Sequence, residues 1–176
     1  MNSARQGNAS RAADRLAVDN ACKAPDRRTL AMTHIVLATD GSAFSDAAAR
    51  FIAEGKLLQG ERTVHVVHVA PEVTGQVRAF VSKDAIDDWH REESEKAMRS
   101  VCDILAAAQL RVEKHALSGF PPDRIVALAK SVNADAIVIG THGRGSFFDA
   151  VLGSVAGRVV AHASCPVILV KAPEKA

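Results

Sequence analysis

Ala136-Ile137-Val138-Ile139-Gly140-Thr141-His142-Gly143-Arg144-Gly145 passes from an unbroken apolar run into a glycine-punctuated loop, and Leu152-Gly153-Ser154-Val155 follows. The run reads as a strand buried on both faces, the glycines as a turn, and Ser154 as the N-cap of a helix. A strand–loop–helix junction of this kind collects backbone N–H groups and the positive end of a helix dipole in one place, which suits a phosphate. The first expectation is therefore that residues 140–155 hold the phosphates of a nucleotide.

Working outward, the segments before and after repeat one pattern. Thr33 to Thr39 is a short apolar run closed by Asp40-Gly41-Ser42, with Ser42 as N-cap of a helix reaching Gln59. Phe44, Ala47, Ala48, Phe51, Ile52 and Leu58 form its apolar face, and Gly60 closes it. A β-branched strand covers Thr63 to Val69 and stops at Pro71. The longest helical period spans Ser82 to Leu110, with Ile86, Trp89, Ala97, Val101, Ile104, Leu105 and Ala108 on one face. Val112 to Leu117 is a more polar strand, as expected near a sheet edge. After the Gly119-Phe120-Pro121-Pro122 turn, a helix runs from Asp123 to Ser131. Asp135 to Ile139 is the most apolar strand and is placed centrally. A helix from Ser154 to His162 leads into the last strand, Cys165 to Val170, whose Pro166 extends its predecessor. Alternation of this kind predicts an α/β three-layer sandwich around a five-stranded, mostly parallel sheet with right-handed crossovers. Ligands in such sheets sit outside the carboxyl ends of the strands where the winding reverses, so the loops at Asp40 and Gly140 would share a pocket.

The 176 residues suffice for one domain, expected over residues 32–174. Residues 1–31 show no apolar period and read as a disordered N-terminal extension. Met32 precedes the first strand, and a translation start there would still supply the whole domain. A net charge of +2, with both signs interspersed, gives no case for nucleic acid. No apolar run approaches the length of a membrane span. Cys22, Cys102 and Cys165 are scattered, which fits reduced thiols in the cytoplasm. His65 and His68 stand three apart on a strand and so point to opposite faces, against a shared metal.

Spacing separates the phosphate signatures. Gly140 and Gly145 have P-loop spacing, but Ser146-Phe147 stand where Lys-Ser/Thr is required. The dinucleotide fingerprint fails because Gly140, Gly143 and Gly145 follow the fourth strand with the opposite spacing. What remains is Gly140-x2-Gly143-x9-Gly153-Ser154. With Thr39-Asp40-Gly41-Ser42, Val67-His68-Val69, Gly119-x-Pro121 and Cys165-Pro166-Val167 in order, the chain from Met32 to Lys171 resembles the universal stress protein family in its ATP-binding branch.

That resemblance implies strand order 3-2-1-4-5 and ATP, with or without Mg²⁺, as ligand. It places Asp40 and the backbone of Ala38 and Val69 against the adenosine end. Ile139, Gly140, His142 and Gly143 would flank the ribose and inner phosphates, and Gly153, Ser154 and Val155 the outer phosphates. Glycines would let phosphate approach the backbone, and Asp40 can accept from ribose hydroxyls or the adenine amino group. Asp40 read only as a helix-start residue, His142 as a surface loop residue and Arg144 as solvated are the plainer alternatives. The family also pairs subunits through its last strand, here residues 166–171, so a homodimer is expected. The resulting expectation is a cytoplasmic stress-response regulator acting by ATP binding and contacts with a protein partner of unknown identity. It names no catalytic or metal-ligating residue. Its rivals are a slow ATPase or a phosphoryl or adenylyl transferase, a response-regulator-like domain, and a ligand-free structural dimer. The second is disfavoured by Leu117-Ser118-Gly119, where a phosphoacceptor Asp would follow the third strand.

Overall fold

The computed structural model describes residues 33–55, 60–72, 81–143 and 152–172. The N-terminal extension, Met32, Leu58, Arg144, Gly145 and the excursion through residue 151 lie outside the described residues. Among the described residues, five strands alternate with four helices: β1 Thr33–Ala38, α1 Ala43–Glu54, β2 Arg62–Ala70, α2 Lys83–Ala107, β3 Arg111–Ser118, α3 Pro121–Ser131, β4 Ala136–Gly140, α4 Ser154–His162 and β5 Val167–Val170. The sheet order is β3-β2-β1-β4-β5 and every pairing is parallel. The α/β sandwich and strand order read from sequence are both observed.

Alternation along the strands divides the core in two. Ile35 and Leu37 of β1, Val64 and Val66 of β2 and Val138 of β4 face α1 and α2, meeting Ala48, Ile52, Met98, Val101 and Leu105. Val36, Val67, Ile137 and Ile139 face α3 and α4, meeting Ile125, Leu128, Ala156 and Val159. Each such side chain contributes roughly 1.5–3 kcal/mol by leaving water. A one-residue slip in register would exchange the two faces, so the parallel pairing Ile35↔Val64 and Leu37↔Val138 is strongly specified. β1 occupies the centre of the sheet. β4 lies inside the sheet between β1 and β5, as its apolar sequence leads one to expect, and its five residues are buried under helices on both faces.

The helix ends show which local signals win. Ser42 caps α1 as expected, accepting from the Ser45 N–H. The helix ends at Glu54, before the expected Gln59, because Gly55 takes the left-handed conformation (φ 65°) and donates its N–H to the Ile52 carbonyl. Arg62 Nη1 completes that end, bonding the same carbonyl at 2.8 Å. α2 stops at Ala107 instead of Leu110, where Gln109 turns to φ 56° and the Leu110 N–H reaches back to Leu105. α3 begins two residues earlier than Asp123, since prolines suit the first helical positions. β5 begins at Val167 rather than Cys165.

Where β4 meets α1 the backbone comes very close. A β-carbon built at Gly140 would lie 2.7 Å from Phe44 Cβ and 3.0 Å from the Phe44 carbonyl carbon. Gly140 therefore lets the first turn of α1 rest directly on the end of β4. Gly140→Ala should lower the free energy of unfolding by about 1–3 kcal/mol through this overpacking. Urea unfolding, with an unchanged denaturant slope, is the measurement that checks it.

Candidate functional site

α1 and α2 cover one face of the sheet while α3 and α4 cover the other, so the segments leaving β1 and β4 diverge. Between them, at the carboxyl ends of the strands, lies a cavity of about 560 Å³, within the size range of small-molecule sites. Ala38, Val67, Val69, Ile125, Ile139 and Ala156 form its apolar walls. Thr39, Asp40, Ser45, Thr141 and His142 bring polar groups, and Ser154 stands exposed at its mouth. All ten residues singled out from sequence line this one cavity: Ala38, Asp40, Val69, Ile139, Gly140, His142, Gly143, Gly153, Ser154 and Val155.

Asp40 is held by its own turn. Its Oδ1 accepts from the Ser42 N–H at 3.0 Å and the Ser45 hydroxyl at 2.9 Å, while its N–H donates to Ser45 Oγ at 3.2 Å. Thr39 anchors the turn from beneath: its hydroxyl donates to the Ala97 carbonyl of α2 and accepts from the Gly41 N–H, both at 3.1 Å. Its N–H bonds the Val67 carbonyl at 2.9 Å. A carboxylate so fixed loses little rotamer freedom when it accepts further hydrogen bonds.

Across the cavity the glycines serve the protein's own contacts. A β-carbon on Gly143 would lie 2.5 Å from Asp40 Oδ2, and one on Gly153 would lie 3.0 Å from the Thr141 carbonyl oxygen. The N–H of Gly153 is committed to that same carbonyl at 2.8 Å, and the Thr141 N–H to Val170 at 3.0 Å. Two expectations are thereby corrected. Gly153, not Ser154, is the N-cap of α4, and the Gly153 N–H is not a phosphate donor in this arrangement. The first intrahelical bond runs from Gly157 to Gly153, so the N–H groups of Ser154, Val155 and Ala156 precede it and form the anion-attracting end of the helix.

His142 is buried rather than a surface loop residue. Its ring packs on Phe44 at 5.3 Å between centroids, and its Nδ1 lies 3.1 Å from the Thr141 hydroxyl. His68, buried under the β2 end of the cavity, bonds Ser94 Oγ of α2 at 3.0 Å through Nδ1. Thr39, Ser45 and Ala156 were missed by motif spacing. Ser45 could have been found from its place one turn into α1, where a first-turn hydroxyl can meet the Asp before the cap. Neither described cysteine lines the cavity, and burial pushes both the Cys102 and the Cys165 thiols up, away from the nucleophilic thiolate.

Ser45 is 4 % exposed and supplies both of its bonds to Asp40 from inside the fold. Ser45→Ala should therefore lower stability by about 1–3 kcal/mol, read by chemical denaturation, because the carboxylate loses a charge-assisted donor.

The profile of the universal stress protein family matches residues 32–171. The chain is 36 % identical over 143 residues to a universal stress protein of Methanocaldococcus jannaschii, covering 80 % of this chain and 83 % of that one. Among solved structures, it is similar to the universal stress protein from Archaeoglobus fulgidus in complex with dAMP, with 31 % identity and a TM-score of 0.58. That match covers 81 % of this chain and all of the other. A further structure, of the hypothetical protein MJ0577, superimposes with a TM-score of 0.69 at 26 % identity, over 81 % of this chain and 98 % of that one. With its sheet order, its ordered motifs and these likenesses, the chain belongs to the universal stress protein family.

Proposed function

We propose that this chain is a cytoplasmic nucleotide-binding regulator that takes ATP in the cavity between β1 and β4 and signals through protein contacts. The observation that carries the reading is the pairing, across one cavity, of a fixed carboxylate at Asp40 with the N-terminus of α4. The apolar walls from Ala38 to Val69 suit a purine. Asp40 Oδ2 lies on the Gly143 side, where it would accept from ribose hydroxyls. The N–H groups of Ser154, Val155 and Ala156, with the Ser154 hydroxyl, would receive the outer phosphates. The dAMP complex of the Archaeoglobus fulgidus relative supports a nucleotide as ligand class. ATP, with or without Mg²⁺, is the finer proposal, and residues 32–174 are its folding unit.

The site favours binding over turnover. The sequence offers Ser146-Phe147 where a P-loop has its Lys-Ser/Thr. ADP release well above that of Asp40→Ala would shift the reading to the slow ATPase or transferase.

Native mass spectrometry and calorimetric titration with ATP test the proposal, and protein that fails to bind added nucleotide would end it. Asp40→Ala should weaken binding about 10- to 100-fold, the worth of one or two hydrogen bonds to a charged group. Gly143→Ala should weaken it as well, by pushing the Asp40 carboxylate aside. The two losses should then be non-additive in a double-mutant cycle, because the second acts through the first.

The subunit pairing is proposed on separate grounds. β5 is an edge strand, and its Leu169 is 39 % exposed. An uncapped apolar edge invites pairing with a second copy, here over residues 166–171. Leu169→Asp should convert a dimer to a monomer in sedimentation velocity; a parent chain that sediments as a monomer excludes the pairing.

A further inference from the structure

Apart from the residues that line the nucleotide cavity, three histidines form a diagonal row across one face of the sheet, from His34 at the start of β1 to His115, the register partner of Val67. His34 of β1, His65 of β2 and His115 of β3 come from positions 31 and 50 residues apart, brought together by the strand register. His34 Nδ1 lies 3.0 Å from His65 Nε2, and His65 Nδ1 lies 3.1 Å from His115 Nε2. Glu113, two residues before His115 and hence on the same face, places Oε2 3.5 Å from His65 Nδ1. The ligating atoms of His65, Glu113 and His115 all lie within 4.8 Å of one another. Along β2, His65 lies two residues, about 7 Å at 3.3 Å per residue, from Val67 in the wall of the nucleotide cavity, and His115 is the parallel partner of Val67.

We propose that His65, Glu113 and His115 form a binding site for a divalent transition-metal ion, zinc in the first instance, independent of the nucleotide site. A tetrahedral ion with ligands at about 2.0–2.1 Å separates neighbouring donors by about 3.3–3.4 Å. Two of the three edges, at 3.1 and 3.5 Å, match that spacing, and the third lies within 4.8 Å. Two imidazoles and one carboxylate suit zinc better than magnesium or calcium, which prefer oxygen donors. They also leave a fourth position for water.

The surroundings complete the set. Arg111 Nη2 donates to Glu113 Oε1 at 3.3 Å, which leaves Oε2 turned to His65. A tautomer with the His65 proton on Nε2 donates to His34 Nδ1 and frees the Nδ1 lone pair for the ion. His34 is then a positioning residue, in the role that backbone carbonyls and carboxylates play behind many metal-bound histidines. Burial pushes the His65 pKa down, partly opposed by Glu113 and reinforced by His115, His34 and Arg111. Glu113 and His115 are half-buried on an edge strand, so an ion has a path in. The competing account is a hydrogen bond between His65 and His115 that shares one proton and binds no ion.

Calorimetric titration of the metal-free full-length protein with Zn²⁺ separates the two. One equivalent should bind, and His115→Ala and Glu113→Gln should each weaken that binding at least 10-fold. Both variants should keep the parent's circular dichroism and nucleotide affinity, since the two residues are half-buried and neither lines the cavity. Co²⁺ in place of zinc should show the visible absorption of a tetrahedral site without a thiolate charge-transfer band, which excludes the cysteines as ligands. His34→Ala should weaken zinc more mildly and alter the Co²⁺ spectrum, a readout that loss of packing alone would leave unchanged. A parent chain that takes up no zinc, or variants that bind it as tightly as the parent, would overturn the site.

Discussion

The close approach of the β1 and β4 ends is the constraint on which the rest depends. Gly140 lets α1 sit on β4, Gly143 lets the loop after β4 reach the Asp40 carboxylate, and Gly153 lets α4 begin against the Thr141 carbonyl. Each approach is closer than a β-carbon allows. Together they set the width of the cavity and the position of its charged groups. A phosphate loop is usually explained by glycine making room for the ligand. Here glycine first makes room for the protein, and the ligand site is what those contacts leave open.

From that constraint the chemistry of the site follows in order. The diverging helices open a cleft at the carboxyl ends of the strands. The apolar faces of β1, β2 and β4 continue into its walls, so the same residues that build the core offer a surface for a flat apolar ring. Polar groups enter only where strands end, because there the backbone leaves the ladder and Asp40, Thr39 and Ser45 can satisfy one another. Rigidity and recognition thus share a cause. The network that fixes Asp40 for a ligand also closes the β1–α1 turn.

Two groupings on this sheet arise for a related reason. At the carboxyl ends of the strands, the start of a helix and a fixed carboxylate meet across the cavity. Beside it, side chains on adjacent strands stand close enough for His34, His65 and His115 to meet ring to ring. The row needs only three strands in parallel register, with each histidine on the same face. It is read from this chain's own side chains, not from membership of the universal stress protein family.

The sequence by itself determined the alternation of strands and helices, the parallel sheet and the two-part glycine loop, because periodicity and motif spacing are local; the strand order and the ten cavity residues came through the resemblance that those motifs carry. Ser42 as N-cap was legible for the same reason. Local signals were misread where two competed: Gly55 closed α1 ahead of Gly60, and Gly153 took the cap expected of Ser154. Only the tertiary structure decided that Gly143 is small for the sake of Asp40 and that His142 is buried against Phe44. It alone joined His65 to His115, residues that no spacing rule connects. The physical reason is common to all of these. They depend on distances between segments far apart in the chain, which strand register and helix packing set and no short stretch of sequence encodes.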